Sequence, residues 1–363
     1  MRESPVDASH ETGTDARAER APTSLEDGCA IVRRATAADA IEIAALFQLE
    51  YRDSSHPFQT VDDVSAFLSD SRNFEIVAEL DDRIVSSMAM AYCAWNDSYE
   101  LGRAITHFEY RRHGLAGAVM QPVVDWVRTA RLGQVFFGFP RARRIVDLCA
   151  ALAPAMVVVG HDGGRNVANG TRETHLIVYA IPPHGMFEHV APLGPVPFDR
   201  HRLEQRYYGP LDARPVPGSY PPTCFVGETS GTSAAFESFL IDYAPRSANR
   251  ALEIVGDSAR AGRPMNIGRE IERLQRLLPE VEHMTATVLA DKTAVIEALW
   301  DVGFQATAYL PAWFKLEGRR YDCVQLSKCA HRTTPATLGF DDLLIRLGQE
   351  LTDPRAAGPR ARS

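Results

Sequence analysis

Residues 99–120 read Tyr99-Glu100-Leu101-Gly102-Arg103-Ala104-Ile105-Thr106-His107-Phe108-Glu109-Tyr110-Arg111-Arg112-His113-Gly114-Leu115-Ala116-Gly117-Ala118-Val119-Met120. The stretch changes character in the middle. Residues 99–106 read as a strand. From Leu115 onward the apolar residues Leu115, Val119, Val123, Val124 and Val127 fall on one stripe of a helix that reaches residue 129. Between them lies Arg111-Arg112-His113-Gly114-Leu115-Ala116, spaced Arg-x-x-Gly-x-Ala. Such a turn presents successive backbone N–H groups at a helix N-terminus, where the helix dipole favours an anion. Gly114 lets the backbone approach a phosphate closely, and Arg111 or Arg112 adds a charge-assisted contact. Pro122 is expected to kink the helix, because it removes the bond back to Ala118.

The surroundings of this stretch are equally patterned. Residues 30–33 form a short strand. Thr36 then caps a helix that has Asp39 in its first turn and Ile41, Ile43, Ala44, Leu46 and Phe47 as apolar residues. A second helix is expected over 61–68. Residues 74–80 and 84–92 make two strands about the Asp81-Asp82-Arg83 turn, and Asn96-Asp97 turns into the third strand, 99–106. After the long helix come a strand at 134–139, a helix at 143–152, and strands at 156–160 and 175–181. The order is β-α-α-β-β-β-α-β-α-β-β, which predicts an α/β fold (α+β, mixed sheet) with helices on both faces.

Ten prolines crowd residues 182–222, so 183–222 reads as a linker, with one helical turn inside at 202–208. A second block follows over 223–330. Its start is hard to read. Its end gives a helix at 268–278, a strand at 284–289, a helix at 292–302, a Gly303-Phe304 turn and a strand pair, 305–316 and 321–327, joined by Glu317-Gly318. Residues 1–27 lack periodicity and are expected to be a disordered tail. Residues 331–363 are expected to hold a short amphipathic helix at 340–351 and a second tail.

Composition narrows the function classes. The chain has 363 residues, 45% of them hydrophobic and 24% charged, with a formal net charge of −8. That is globular composition without the basic excess of a counterion-driven nucleic-acid binder. No apolar run is long enough for a membrane span, and the polar N-terminus has no hydrophobic region of a signal peptide. The six cysteines are scattered without a C-x-x-C pair, which reads as reduced thiols of a cytoplasmic protein and gives no metal site. His161 with Asp162 lacks a third ligand.

Here the sequence resembles the GNAT superfamily of acyl-CoA N-acyltransferases. The resemblance rests on Arg111, Gly114 and Ala116, on Tyr110-Arg111-Arg112 before the loop, and on the order of elements over 28–182. Arg112 stands where the family usually has Gly, and Phe108 where it often has Pro. The latter part of 223–330 also looks GNAT-like, through its last helix, the Gly303-Phe304 exit and the closing strand pair. No Arg-x-x-Gly-x-Gly/Ala loop occurs there. The resemblance therefore implies a GNAT acyltransferase fold in a tandem pseudo-dimer, its second copy degenerate and unable to bind CoA in the usual way.

It also implies a chemistry. Acetyl-CoA would be the acyl donor and a primary amine of a small molecule the acceptor, with the chain a monomer or a homodimer. Ala104, Ile105 and Thr106 would offer backbone groups to the pantetheine arm. Arg111, Arg112, His113, Gly114, Leu115, Ala116 and Gly117 would form the pyrophosphate cradle. Glu100 matches the strand glutamate that deprotonates the amine; the alternative is an ordinary carboxylate paired with Arg103. Cys149 falls where the family often has a Tyr that protonates the leaving thiolate, so it is the candidate general acid or simply a small buried hydrophobe. His56, Tyr92 and His161 are candidate acceptor-pocket residues, and Tyr309, Trp313 and Phe314 either shape a pocket or belong to the core. Two other functions fit the same residues: a CoA-binding regulatory module without turnover, and transfer of another acyl group.

Overall fold

The computed structural model describes residues 21–25, 28–51, 57–129, 134–140, 156–168, 171–181, 187–193, 200–229, 241–257, 266–330 and 334–335. The predicted helices at 143–152 and 340–351 lie outside these residues. The first half begins with strands β1 (Ala21–Leu25) and β2 (Gly28–Arg34), then helices α1 (Ala40–Glu50) and α2 (Val61–Ser69). A meander follows, β3 (Phe74–Leu80), β4 (Arg83–Cys93) and β5 (Ser98–Thr106), and then α3 (Leu115–Thr129) and β6 (Val135–Gly138). Strands β7 (Val157–His161), β8 (Asn166–Ala168), β9 (Thr171–Thr174) and β10 (Leu176–Ala180) complete it.

The predicted caps and turns form for the expected reasons. The Asp39 carboxylate accepts from the Thr36 N–H at 2.6 Å and is held by the Arg33 guanidinium at 2.7 Å, which keeps it below the usual carboxylate range. Asp81 and Asp82 take the left-handed backbone that a two-residue hairpin turn demands. α3 runs on through Pro122 as one helix.

The second half adds β11 (Glu188–Pro192), a helical turn over 200–208, β12 (Val216–Gly218), β13 (Ile241–Arg246), β14 (Ala251–Asp257), α4 (Ile267–Leu277), β15 (His283–Leu289), α5 (Thr293–Asp301), β16 (Gln305–Leu316), β17 (Arg319–Cys329) and β18 (Thr334–Pro335). One mixed sheet spans both halves in the order β1-β2-β3-β4-β5-β6-β10-β7-β16-β17-β15-β14-β13. Along this order neighbours are antiparallel except for β5–β6 and β14–β15, which are parallel; off it, β11 runs parallel to both β17 and β12. α3 packs on one face of the first half through Leu115, Val119, Met120, Val123 and Val124. The layer of α1 and α2 covers the other through Ile43, Phe47 and Val64.

Two sequence expectations are corrected, and two stretches left open are filled. Residues 21–25 of the expected tail form edge strand β1, antiparallel to β2; Pro22 is tolerated because an edge strand needs no donor on its outer side. The Gly-rich connection after β7 carries a hairpin, β8–β9. Strands β13 and β14 occupy the start of the second block, which carried no readable alternation. The described residues of 183–222 are packed into the fold and are not the linker expected. β11 takes over the edge of β17 at Tyr321, just beyond the point where β15 ends opposite Cys323. Leu203, Tyr207, Tyr208 and Leu211 are buried in the same cluster as Tyr309 and Leu310. Prolines shortened the strands there without preventing burial.

That cluster also contains Phe137, Val159, Ile177 and Tyr179 of the first half, so the core is continuous across the junction. Arg320, fully buried, donates to the carbonyls of Asn96 at 3.1 Å and Ala312 at 3.3 Å and also to that of Asp97. Lys315 pairs with the Asp97 carboxylate, which also accepts from Gln134 at 2.9 Å. Buried Asp322 accepts from Tyr309 and the Ala312 N–H, both at 2.8 Å, and from Tyr208, and lies 2.5 Å from His189 Nε2. The halves meet where β7 pairs with β16 at Gly160 and Ala308. A Cβ on Gly160 would lie 2.2 Å from the Thr307 carbonyl oxygen, a backbone atom that cannot swing away. We predict that Gly160→Val destabilises the protein by on the order of 2–4 kcal/mol. Thermal unfolding by circular dichroism reads this as a clear fall in Tm; an unchanged Tm contradicts the packing.

Candidate active site

The site is built on β5, whose two edges are treated differently. On one side β5 pairs with β4 along its length, from Cys93–Ser98 to Ser86–Thr106. On the other it pairs with β6 only from Ser98 to Leu101. β6 ends at Gly138, which packs so closely that a Cβ would lie 2.6 Å from the Leu101 carbonyl oxygen. Among the described residues no strand pairs with 102–106 on that edge, which includes Ala104, Ile105 and Thr106, the residues expected to meet a pantetheine arm. Two of its carbonyls are engaged locally, that of Ile105 by Ser86 Oγ at 2.9 Å and that of Thr106 by Arg111 Nε at 3.3 Å. Within this stretch β5 also bulges. Between the pairs Ala89–Gly102 and Ser87–Ile105, β4 advances two residues and β5 three. Arg103 absorbs the extra residue with φ +53°.

β5 leads through a short 3-10 turn (Phe108–Tyr110) into the predicted cradle. Arg111, Arg112, His113 and Gly114 are exposed, and buried Leu115 anchors the start of α3. The Ala118 N–H bonds back to the Gly114 carbonyl at 3.0 Å, so the N–H groups of Leu115, Ala116 and Gly117 precede the first intrahelical bond and lack an intrahelical acceptor. Gly114 sits at φ +78° with nothing within 4 Å of where a Cβ would be. Arg112 sits at φ +74°, which explains why a Gly is at home there; Arg holds the same backbone at a cost of about 1 kcal/mol. The result is a helix N-terminus with open space in front of it, suited to a phosphate-sized anion.

The face of β3–β5 turned toward α1 and α2 follows from register. Glu75 pairs with Ala89, Ala89 with Gly102, and Ala91 with Glu100, so these side chains share one face. Ala89, Ala91 and Gly102 make a low floor with Glu75 on one side and Glu100 on the other. Glu100 is half-buried, leans over Gly102, and makes no hydrogen bond or ion pair among the described residues. The alternative pairing with Arg103 does not form. The Arg103 guanidinium instead lies 4.8 Å from the Phe58 ring centroid and 5.1 Å from that of Phe67, with Nε and Nη1 buried and unpartnered. Glu75 is fully buried, accepts from Ser87 Oγ through Oε1, and leaves Oε2 without a partner. Burial pushes its carboxyl up to about 8, against the Ser87 bond and the Arg103 charge. Cys93 lies beyond Ala91 on this face, and burial together with Glu100 pushes its thiol up to about 11, so it stays protonated.

Other candidates lie elsewhere. Tyr92 is on the opposite face from Glu100. Its ring packs on Tyr99 at 5.2 Å and its hydroxyl donates to Asp97 at 2.8 Å, with burial and that bond raising it to about 12. His161 is at the junction. Its Nδ1 accepts from the Gly163 N–H at 3.1 Å and desolvation lowers it to about 4, so it is a neutral structural group. Tyr309 and Trp313 are buried core; Trp313 meets Phe137 edge-on at 4.9 Å, and Phe314 packs partly buried beside them. His56 and Cys149 lie outside the described residues. Among the described residues no group of three or more His, Cys, Asp or Glu is placed to hold a metal ion. Sequence reading missed Glu75, Ser87 and Arg103. The signal for Glu75 was present: it shares the parity of Val77, an inward position of β3.

The second half holds a comparable notch, already filled. β14 pairs with β15 only from Ala251–His283 to Ile254–Ala286. Beyond that point the chain itself occupies the gap. Val226 N–H donates to the Thr287 carbonyl at 3.0 Å, Leu289 N–H to that of Cys224 at 3.0 Å, and Asp257 Oδ1 accepts from Thr223 Oγ1 at 2.5 Å and the Cys224 N–H at 2.9 Å.

Comparison with known proteins gives a family match over part of the chain. Residues 41–140 match the Acetyltransferase (GNAT) family. No curated protein matches the chain. Among solved structures, a ribosomal-protein-S5-alanine acetyltransferase from Vibrio fischeri is 20% identical over 45% of this chain and 98% of its own, with a TM-score of 0.36. The putative acetyltransferase yncA from Salmonella typhimurium, solved with acetyl-CoA, is 13% identical over 43% of this chain and 95% of its own, TM-score 0.37. A Vibrio cholerae spermidine N-acetyltransferase chimera is 17% identical over 41% and 93%, TM-score 0.34. No helix among the described residues is long and apolar enough to cross a membrane.

Glu75 gives a pH signature. Below about 4.5 its carboxyl is protonated in folded and unfolded chains alike; as pH rises toward 8 only the unfolded chain ionises, so Glu75 progressively destabilises the fold. Glu75→Gln is expected to match wild type near pH 4.5 and to melt higher by pH 8.5. Melts at both values check this; a pH-independent difference contradicts it.

Proposed function

We propose, on the premise that residues 41–140 are a GNAT acetyltransferase domain, that the chain transfers the acetyl group of acetyl-CoA to a primary amine of a small molecule. The observation that carries this reading is the course of β5. Released from β6 after Leu101, its open edge leads directly into the left-handed turn and the uncapped N-terminus of α3. Backbone groups of Ala104, Ile105 and Thr106 line the arm of the donor, and Arg111–Gly117 receives its pyrophosphate. Glu100 takes a proton from the acceptor ammonium. The amine lone pair then forms the C–N bond at the thioester carbonyl, and a backbone N–H near Ile105 holds the oxyanion. Collapse breaks the C–S bond and the CoA sulfur leaves with its electron pair. A thiol is acidic enough to leave as thiolate, so this step needs no general acid from Cys149. The net reaction gives the amide, the free thiol and one proton.

We read the second half as a degenerate copy. Its order β13-β14-β15-β17-β16 repeats β4-β5-β6-β10-β7 in sequence of strands and in their directions, and β7 meets its counterpart β16 at the junction. Its notch is filled by residues 223–226, which supports one donor site per chain. The reading is of a cytoplasmic enzyme, monomeric or homodimeric.

Calorimetric titration of the full chain with acetyl-CoA is expected to give one site. Gly114→Glu, adding charge, bulk and strain at φ +78°, is expected to abolish binding. Glu100→Gln is expected to bind acetyl-CoA normally and to lose about 10²–10⁴-fold in amine-dependent thiol release. Binding without any turnover by wild type would favour a regulatory CoA module; no binding would overturn the reading.

A further inference from the structure

The floor between Glu75 and Glu100 contains polar groups that the acetyl-transfer reading does not use. The Arg103 guanidinium lies against the adjoining rings of Phe58 and Phe67, and no carboxylate lies within ion-pair distance of it among the described residues. Its Nε and Nη1 are buried donors without acceptors. Arg103 reaches this place only through the bulge, with a left-handed backbone that favours glycine, and such strain is concentrated where a side chain is aimed for a purpose. Beside it, Glu75 is spent on one side by Ser87, and its other oxygen is buried and unpartnered. Kept protonated in the neutral range, that oxygen is a third donor. These donors without acceptors, beside aromatic rings, suit a carboxylate, which takes charge-assisted bonds from a guanidinium. Glu100 lies three residues before Arg103 on the same strand and face, so the two side chains can reach the opposite ends of one small molecule.

We propose that the acceptor carries a carboxylate as well as its amine, and that Arg103 with Glu75 is the subsite that reads the carboxylate. The inference rests on acetyl transfer for the amine end and names the substrate class as amino acids or related amino-carboxylates. Arg103 and Glu75 here set specificity and position; Glu100 remains the group that meets the reacting amine.

Product binding tests this without requiring turnover. The full-length protein, saturated with CoA, is titrated calorimetrically with N-acetyl L-amino acids of small, acidic, basic and aromatic side chains, each beside its α-amide. At least one acid is expected to bind more tightly than its amide by about 10-fold or more, the range of a charge-assisted pair. Arg103→Met, which keeps the aliphatic stem, is expected to erase the difference while still binding acetyl-CoA, and Arg103→Lys to restore part of it. No acid binding better than its amide overturns the proposal. So does Arg103→Met weakening acid and amide equally, the mark of a merely structural arginine. Failure of wild type to bind acetyl-CoA strikes the acetyl-transfer reading instead; the same acid-against-amide comparison, run without CoA, still decides the anion subsite.

Discussion

The structure depends on where β5 stops being an interior strand. It is paired on both sides as far as Leu101, where Gly138 approaches closely, and among the described residues on one side only from Gly102 onward. An interior strand has no spare backbone groups, and an exposed edge is a hazard that folds normally cover. Here the open edge sits within the sheet of the first half, between β5 and β6. The bulge at Arg103, in the pairing with β4, lies at the same place and turns its guanidinium toward Phe58 and Phe67.

Such an opening is tolerable because the surroundings are rigid. The second half continues the sheet through β16, shares its core with β6, β7 and β10, and clamps the Asn96-Asp97 turn through Arg320 and Lys315. That turn begins β5. The buried carboxylates at this junction are partnered: that of Asp97 is depressed by Lys315 and its hydrogen bonds, and that of Asp322 by His189, Tyr208 and the Ala312 N–H. A buried ion pair adds little net stability, but leaving either partner alone is costly, so these contacts fix one arrangement of the halves. The plug at 223–226 does in the second half, with backbone hydrogen bonds, what an extended ligand would do in the first.

Local chemistry was legible in the sequence wherever it stayed local. Leu115–Thr129 and Gln305–Leu316 were read to the residue because apolar spacing and turn residues agree there. The turn into α3 was legible from Arg111, Gly114 and Ala116, and the odd residue Arg112 is explained by its left-handed backbone. What could not be read is what depends on register. Nothing about Tyr92 alone says that it faces away from Glu100, or that Arg103 sits in a bulge. Glu75 looked like any strand carboxylate until Val77 fixed its parity. The Pro-rich stretch misled most, since proline limits strand length and says nothing against the burial of Leu203, Tyr207 and Leu211.

The most direct measurement is amide hydrogen exchange of the full chain with and without acetyl-CoA. The account requires that the unpaired edge of β5 and the start of α3 are where the donor's arm and pyrophosphate lie. Amides in 102–106 and 113–117 should therefore become protected together when acetyl-CoA is added, while 223–226, already bonded in the second half, should exchange unchanged. Protection confined to the second half, or binding that leaves 102–106 and 113–117 unaltered, would contradict it.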